Sequence, residues 1–289
     1  MKCVSYNIQY GIGLDYQYDI GRIIDAVRGA DIICLQEVSR NNPSNGGHDM
    51  VAAINHALPD YFSVYGPNFE ADMGSRIANG KAVTTTFQFG NMILSRKPIL
   101  LSRNLLLPRT RTFDYANFQR GALEALIETP SGYVRFYSTH LDHRSPDERL
   151  EQIRFLKDRI FNYPVEGGGL TGLAEYGLPE PPSPNEFIVM GDFNMLSDTP
   201  EHAALCGTPD AIFGLTLNAR HAVDVAAYLG ALEDHPVTWV DPNDPKDEAR
   251  MKRIDYVFAS PFMADRLKSY RVDREAVGSD HLPVWVELA

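Results

Sequence analysis

The chain alternates between short apolar runs and amphipathic stretches. "KCVSYNI" and "DIICLQEV" have the apolar density of strands, and between them "YDIGRIIDAVRGA" sets Ile20, Ile23, Ile24 and Val27 at helical spacing. "HDMVAAINHAL" predicts a second helix and "YFSVYG" a further strand. "FGNMILSR" continues the sheet, and "GALEALIET" with "GYVRFYSTHL", joined at Pro130-Ser131-Gly132, predicts a hairpin. "SPDERLEQIRFLKDRIF" then reads as a helix, with Ser145 as N-cap, Pro146 in the first turn and Glu148 three residues after the cap, a capping-box pattern. Leu150, Ile153, Leu156 and Ile160 line one face of it. From Pro164 to Glu186 the chain is rich in Gly and Pro and has no period, which predicts a long surface loop. The strand rhythm resumes with "FIVMG", "RIDYVFAS" and "HLPVWVELA". This favours one domain over residues 1–289 with an insertion at about 164–186, rather than two domains joined by a linker. Hairpins mixed with crossover units predict an α/β fold with mixed sheet covered by helices.

Composition changes this picture little. With 44% hydrophobic and 22% charged residues the chain is ordinary for a globular protein. No run reaches the roughly 18 apolar residues that a bilayer span needs. The start, "MKCVSYNIQYG", is too short and polar for a secretory signal, so a cytoplasmic protein is expected. Cys3, Cys34 and Cys206 have no metal-type spacing and are expected to be buried free thiols. Lys+Arg 27 against Asp+Glu 38 gives a net charge of -11. That weighs against a nucleic-acid partner gripped along its phosphates without excluding one, because counterion release at a basic surface supplies most such affinity.

The candidate chemistry lies where the strands stop. "VSYNI" holds Asn7, "CLQEV" Glu37, "FYSTHL" His140, "VMGDFN" Asp192 and Asn194, "RIDYV" Asp255, and "GSDHLPV" Asp280 and His281. Each alone also fits an ordinary role: Glu37 as a solvated charge, Asn7 as a turn former, His140 as a structural histidine, Asp255 as a partner of Arg253. "GDFN" is harder to dismiss, because buried polar atoms directly after an apolar strand cost several kcal/mol if unpaired. Together, oxygen-bearing side chains at apolar strand ends suit a hard cation such as Mg²⁺. A zinc site is less natural without nearby Cys.

In chain order, "YNI", "LQEV", "GNMILSR", "QRGAL", "STHLDH", "GDFN", "TW", "RIDYVF" and "SDHLPV" resemble the hallmarks of the endonuclease/exonuclease/phosphatase family of metal-dependent phosphoesterases, over about residues 1 to 288. The resemblance implies a four-layer sandwich, with two mixed β-sheets packed face to face, helices on the outer faces and the active site at one edge. It implies an Mg²⁺ site at Glu37, with Asn7 and Asp280, at which Mn²⁺ could substitute. Asp192 would position or deprotonate the attacking water and Asn194 would bond a phosphate oxygen. His281, oriented by Asp255, and His140 would stabilise charge on the phosphoryl group. The abasic-site repair branch has an acidic residue two positions after the asparagine, where this chain has Gln9, and a tyrosine motif where this chain has "STHLDH". The sequence is thus closer to the histidine branch of inositol-phosphate phosphatases, sphingomyelinases and pancreatic-type deoxyribonucleases.

Arg103, Arg109, Arg111 and Arg120 cluster before the hairpin, and Arg144 lies beside His140. Arg forks suit phosphate oxygens, so Arg120 and Arg144 are the candidate substrate contacts. Trp239 is expected to pack structurally. The leading expectation is hydrolysis of a small or medium phosphodiester or phosphomonoester. A DNA or RNA nuclease is the alternative, and a catalytically silent binding module is disfavoured because the whole residue set is present. Specificity is expected in the segments Phe69 to Gly90, Arg103 to Gln119 and Pro164 to Glu186.

Overall fold

The computed structural model describes residues 1–289. Its first half contains β1 (Lys2–Asn7), α1 (Ile20–Val27), β2 (Ile32–Arg40), α2 (Met50–Ala57), β3 (Phe62–Asp72), β4 (Arg76–Ala78), β5 (Lys81–Val83), β6 (Thr86–Ser95) and β7 (Ile99–Leu106). The β8 (Gly121–Thr129)–β9 (Gly132–His140) hairpin, α3 (Pro146–Glu166), β10 (Phe187–Asp192) and α4 (Pro200–Cys206) follow. β11 (Val223–Asp224), α5 (Val225–Tyr228), β12 (Asp255–Ala259), β13 (Leu267–Val272) and β14 (Val284–Leu288) complete the chain.

Two six-stranded sheets have the orders β13-β14-β1-β2-β6-β3 and β11-β12-β10-β9-β8-β7. In each, the central pair is parallel and every other pairing is antiparallel. Residues of alternating strand faces divide into three apolar layers. Cys34, Ile93 and Val286 of the first sheet meet Ala125, Phe136 and Met190 of the second between the sheets. Ile23 and Ile54 of α1 and α2 cover the outer face of the first sheet, and Ile153 and Leu156 of α3 cover that of the second. Helix, sheet, sheet, helix is the expected four-layer arrangement. All three cysteines are buried free thiols, Cys3 and Cys34 on the inner faces of the sheets.

A one-residue slip would turn a strand inside out, so the sheets need polar pins across the dry interface. Gln36 is one. Its amide donates to Ser138 Oγ (2.9 Å) on the facing sheet, and that hydroxyl donates back to Leu35 O (3.0 Å). Asn91 Nδ2 similarly donates to Gly121 O (2.9 Å). These pins bring the carboxyl ends of the two central parallel pairs, β1/β2 and β9/β10, to one rim.

Several local expectations are corrected. Residues 164–166 belong to α3 rather than to the loop, which starts at Gly167 and contains a 3₁₀ turn at Leu173–Tyr176. Pro164 has no N–H for the carbonyl of Ile160, and the buried Arg135 guanidinium takes that acceptor instead at 2.8 Å, so the helix survives its proline. Ser145 caps α3 by accepting from Glu148 N (3.2 Å), but the Glu148 carboxylate accepts from Thr110 N (2.7 Å) instead of closing the box. Arg103 is a strand residue of β7 paired with Glu124 (3.1 Å), and the 69–90 segment is mostly the extended β3/β6 pair with the small β4–β5 ribbon.

Candidate active site

β10 ends in Gly191-Asp192. Gly191 has φ +155°, and a Cβ there would lie 1.9 Å from the carbonyl oxygen of Thr139 on β9. Only glycine allows that approach, and it sets Asp192 level with His140 on β9 and with Asp255 on β12. On the facing sheet, Gln36 and Glu37 together oppose Asn91, a bulge in which Glu37 takes φ +61°. Strain of about 1–3 kcal/mol at a non-glycine residue is retained where it re-aims a side chain. Glu37 is thereby turned to the rim where Asn7 ends β1.

The side chains from both sheets converge on Asp192. Its Oδ2 accepts from Asn7 Nδ2 (2.9 Å) and lies 3.3 Å from His140 Nε2 and 3.7 Å from His281 Nε2. The same Asn7 amide nitrogen is 3.5 Å from Glu37 Oε1. His281 Nδ1 meets Asp255 Oδ2 at 2.9 Å. Asn194, at φ +51°, donates its backbone N–H to Asp192 Oδ1 (3.0 Å) and its amide to Leu141 O (3.2 Å). Trp239 Nε1 donates to Asp280 Oδ2 (3.1 Å). Glu37, Arg120, His140, Asp192, Asn194, Asp280 and His281 all line one cleft of about 770 Å³. Asn7 and Asp255 stand directly behind them. Arg144 is exposed and does not line the cleft, but it adjoins the lining residue His143 and is held over the Tyr115 ring at 4.6 Å. Arg109 donates to Asn117 O and Arg111 stacks on Phe113, so neither enters the cluster.

Burial sets the charges. It pushes Asp192 up to about 7, against the opposing pull of His281. Burial also works against the His281 imidazolium, but Asp255, then Asp192 and Asp280, outweigh it and hold this histidine well above its ordinary value. His140 goes the other way, depressed by burial and by Arg120, whose Nη1 is 3.0–3.1 Å from both its ring nitrogens. One histidine is therefore held charged and the other neutral. Glu37 is raised by burial and by Asp280, and its only hydrogen bond is the long one to Asn7.

Glu37 and Asp280 thus face each other's charge with no ammonium or guanidinium paired to either. That donor set fits a hard divalent cation. Asn7 Oδ1 accepts from Gln9 N (3.1 Å), so in this arrangement Asn7 acts as a donor between carboxylates. Asp192, Asp255 and His281 also lie close enough together to share an ion, but Asp255 is committed to His281 and Thr238 and His281 is held protonated, which leaves them few free lone pairs.

Three residues inside the quoted motifs have roles that the motifs alone did not reveal. Thr238 Oγ1 donates to Asp255 Oδ2 (2.7 Å) while accepting from Asp255 N (2.9 Å) and Ile254 N (3.1 Å), which fixes the carboxylate that holds His281. Gln36 pins the sheets under the site, and His143 lines the cleft. "TW", "LQEV" and "STHLDH" contain all three, but their roles depend on partners distant in sequence. Trp239, expected chiefly to pack, with shaping of the rim as the alternative, lines the cleft and holds Asp280. Asp255 does not pair with Arg253, whose guanidinium goes to Asp224 (2.6 Å).

The profile of the Endonuclease/Exonuclease/phosphatase family matches residues 4–281. No curated protein matches the chain. Solved structures similar to it over 100% of its length include an endonuclease/exonuclease/phosphatase from Beutenbergia cavernae DSM 12333 (20% identity, 72% of that chain, TM-score 0.65). A mannosyl-6-phosphatase from Bacteroides thetaiotaomicron VPI-5482 (20% identity, 99% of that chain, TM-score 0.59) is another. A third is a 3′ phosphatase from Neisseria bound to a product DNA hairpin (18% identity, 99% of that chain, TM-score 0.56).

Proposed function

Because the chain belongs to the Endonuclease/Exonuclease/phosphatase family, we propose that residues 1–289 act as one catalytic domain that hydrolyses a small or medium phosphoester with the help of Mg²⁺, or Mn²⁺ in its place. The observation that carries this reading is the convergence, from both sheets, of Asn7, His140 and His281 within 3.7 Å of a buried Asp192, beside Glu37, whose only hydrogen bond is the long one to Asn7. The neighbours named for phosphatase activity support it.

Phosphoester hydrolysis needs a nucleophile at neutral pH and compensation for charge on the transferring phosphoryl group. When bound by Glu37 and Asp280, the cation would supply Lewis acidity toward a phosphate oxygen. Asp192, raised toward neutrality, accepts a proton from the attacking water and holds that water in line. A base whose proton affinity lies near the working pH is the efficient kind. The Asp255–His281 pair presents a charged N–H to a phosphoryl oxygen from Nε2, while Asp255 fixes the ring through Nδ1. Neutral His140, Asn194 and Arg120 direct further donors into the cleft.

The test is a panel of phosphomonoesters, small phosphodiesters and plasmid or single-stranded DNA, each with Mg²⁺ and with EDTA. We expect Mg²⁺-dependent turnover of a small ester that EDTA and Asp192→Asn both abolish. Rapid DNA cleavage with the small esters untouched would replace this reading by a nuclease, for which the cleft-lining Phe87, Phe89 and Phe118 offer stacking surfaces.

A further inference from the structure

At one side of the cleft two guanidiniums flank His143, and the carboxylates whose charge Arg120 feels, Glu37, Asp192 and Asp142, form no ion pair with it. Arg120 is 95% buried, with relative exposure of 5%, and forms no ion pair. Its Nη1 faces the His140 ring, its Nη2 lies 3.0 Å from His143 Nδ1, and its Nε has no partner. On the far side of the same imidazole, Arg144 Nε is 3.1 Å from His143 Nε2. Arg144 forms no ion pair either, and its guanidinium rests on the Tyr115 ring. The turn holding them is rigid, because Asp142 Oδ1 accepts from Arg144 N (2.8 Å) and Ser145 N (2.7 Å).

The arrangement is chemically incomplete. A neutral imidazole has one lone pair in its plane and one N–H, so it can accept from one guanidinium and must point a proton at the other. Partial desolvation and Arg120 lower His143 below its ordinary value, which favours the neutral ring. Two guanidiniums therefore compete for one acceptor in a molecule whose net charge is -11. An anion placed between them would take the displaced Arg donor and the His143 N–H together, and would give the buried Arg120 the direct ion pair it does not make with Glu37, Asp192 or Asp142.

We propose that Arg120, His143 and Arg144 form a second anion subsite beside the scissile position, and that the substrate is a small phosphoester carrying a second phosphate or comparable oxyanion. This rests on the phosphoesterase reading and narrows its substrate class. Arg120 bridges the two positions, since one of its nitrogens faces His140 and the other His143. Arg144, through the planar fork and its aromatic support, is the outer clamp. His143 selects for the anion by donating only when Arg144 or Arg120 has turned away from it.

Binding tests this separately from turnover. Calorimetry would use the full-length Asp192→Asn chain with Mg²⁺, so that ligands persist, and would repeat the titrations in EDTA. Two pairs of probes differ by one phosphate: fructose 6-phosphate against fructose 1,6-bisphosphate, and adenosine 5′-monophosphate against adenosine 3′,5′-bisphosphate. In at least one pair the bisphosphate should bind about tenfold tighter or more, the effect of one good charge-assisted hydrogen bond. Adding His143→Ala and Arg144→Ala should reduce that preference to about threefold or less. Equal affinities within both pairs, or a preference that survives both substitutions, would overturn the subsite. A chain that hydrolyses no ester yet shows the preference would sink the catalytic reading alone.

Discussion

The molecule buries two clusters made of the same residue types, and they behave in opposite ways. At the outer edge of the second sheet, Asp224 meets His202 Nε2 (3.1 Å), takes two donors from Arg253 (2.6 and 3.3 Å), and caps α5 by accepting from Ala226 N (3.1 Å). Burial would raise this carboxyl, but His202 and Arg253 overcome it and hold Asp224 at about 2. At the rim, Asp192 also has histidines beside it, yet burial wins and carries it to about 7. The first cluster is complete, with its charge cancelled and its lone pairs filled. The second is left short of positive charge; Asp224 and Asp192 each border a cavity, so the difference lies in the charge balance. A buried carboxylate that the protein itself satisfies holds the fold, whereas one left unsatisfied is a place for chemistry.

The largest effect expected from breaking this contrast is on turnover. Asp192→Asn should lower kcat about 10²–10⁴-fold or more, the usual contribution of general acid-base help, while circular dichroism stays that of the wild-type fold. The reverse pattern is expected at Asp224. Asp224→Ala strands Arg253 and His202 without an anion and should cost about 3–5 kcal/mol in urea unfolding, with the folded fraction retaining its kcat.

Acid separates the clusters more gently. Asp224 is depressed on folding, so its pairing stabilises the protein fully above pH about 4 and is lost as pH falls toward about 2, a contribution of about 2 kcal/mol. Asp192 is raised on folding, so in EDTA it destabilises progressively as pH climbs from about 4 through about 7. Urea midpoints of Asp224→Asn and Asp192→Asn against wild type should diverge at opposite ends of that range. The smallest effect is at Thr238→Val, which releases Asp255 on one side. It should lower kcat about tenfold through the lost orientation of Asp255 and His281, and it leaves Ile254 N and Asp255 N without their acceptor, at about 1–3 kcal/mol in urea unfolding.

These contrasts also show what the amino-acid order could disclose. The rim residues were legible because apolar strands that stop in Asn7, Glu37, His140 or Asp192 leave no other place for polar atoms than an edge. α3 was legible from Ser145 and its apolar face. Pairing across the fold was not. Arg253 and Asp255 lie two apart in what reads as one strand, which made an ion pair between them reasonable, but Arg253 stands just before β12, and Asp224 and His281 arrive from other elements to take the two side chains. Pro164 read as a helix end because nothing local revealed that Arg135, on a strand, would take the carbonyl it frees. β7 and β13 are edge strands whose faces are half exposed, so their alternation was too weak to separate from loop. The charge state of His140 depends on burial and on Arg120, and that of His281 on burial and on Asp255 and Asp192 from other strands as well as its neighbour Asp280, and most of this is not local information.

The claim on which the comparison rests is that the rim cluster is completed by a cation from outside, held at Glu37. The direct measurement is calorimetric titration of Mn²⁺ into the metal-free full-length chain, its Glu37→Gln variant and its Asp224→Asn variant. Saturable binding that weakens about tenfold or more in Glu37→Gln and is unchanged in Asp224→Asn is the predicted result. Binding that is equal in all three proteins, or absent from the wild type, would contradict it.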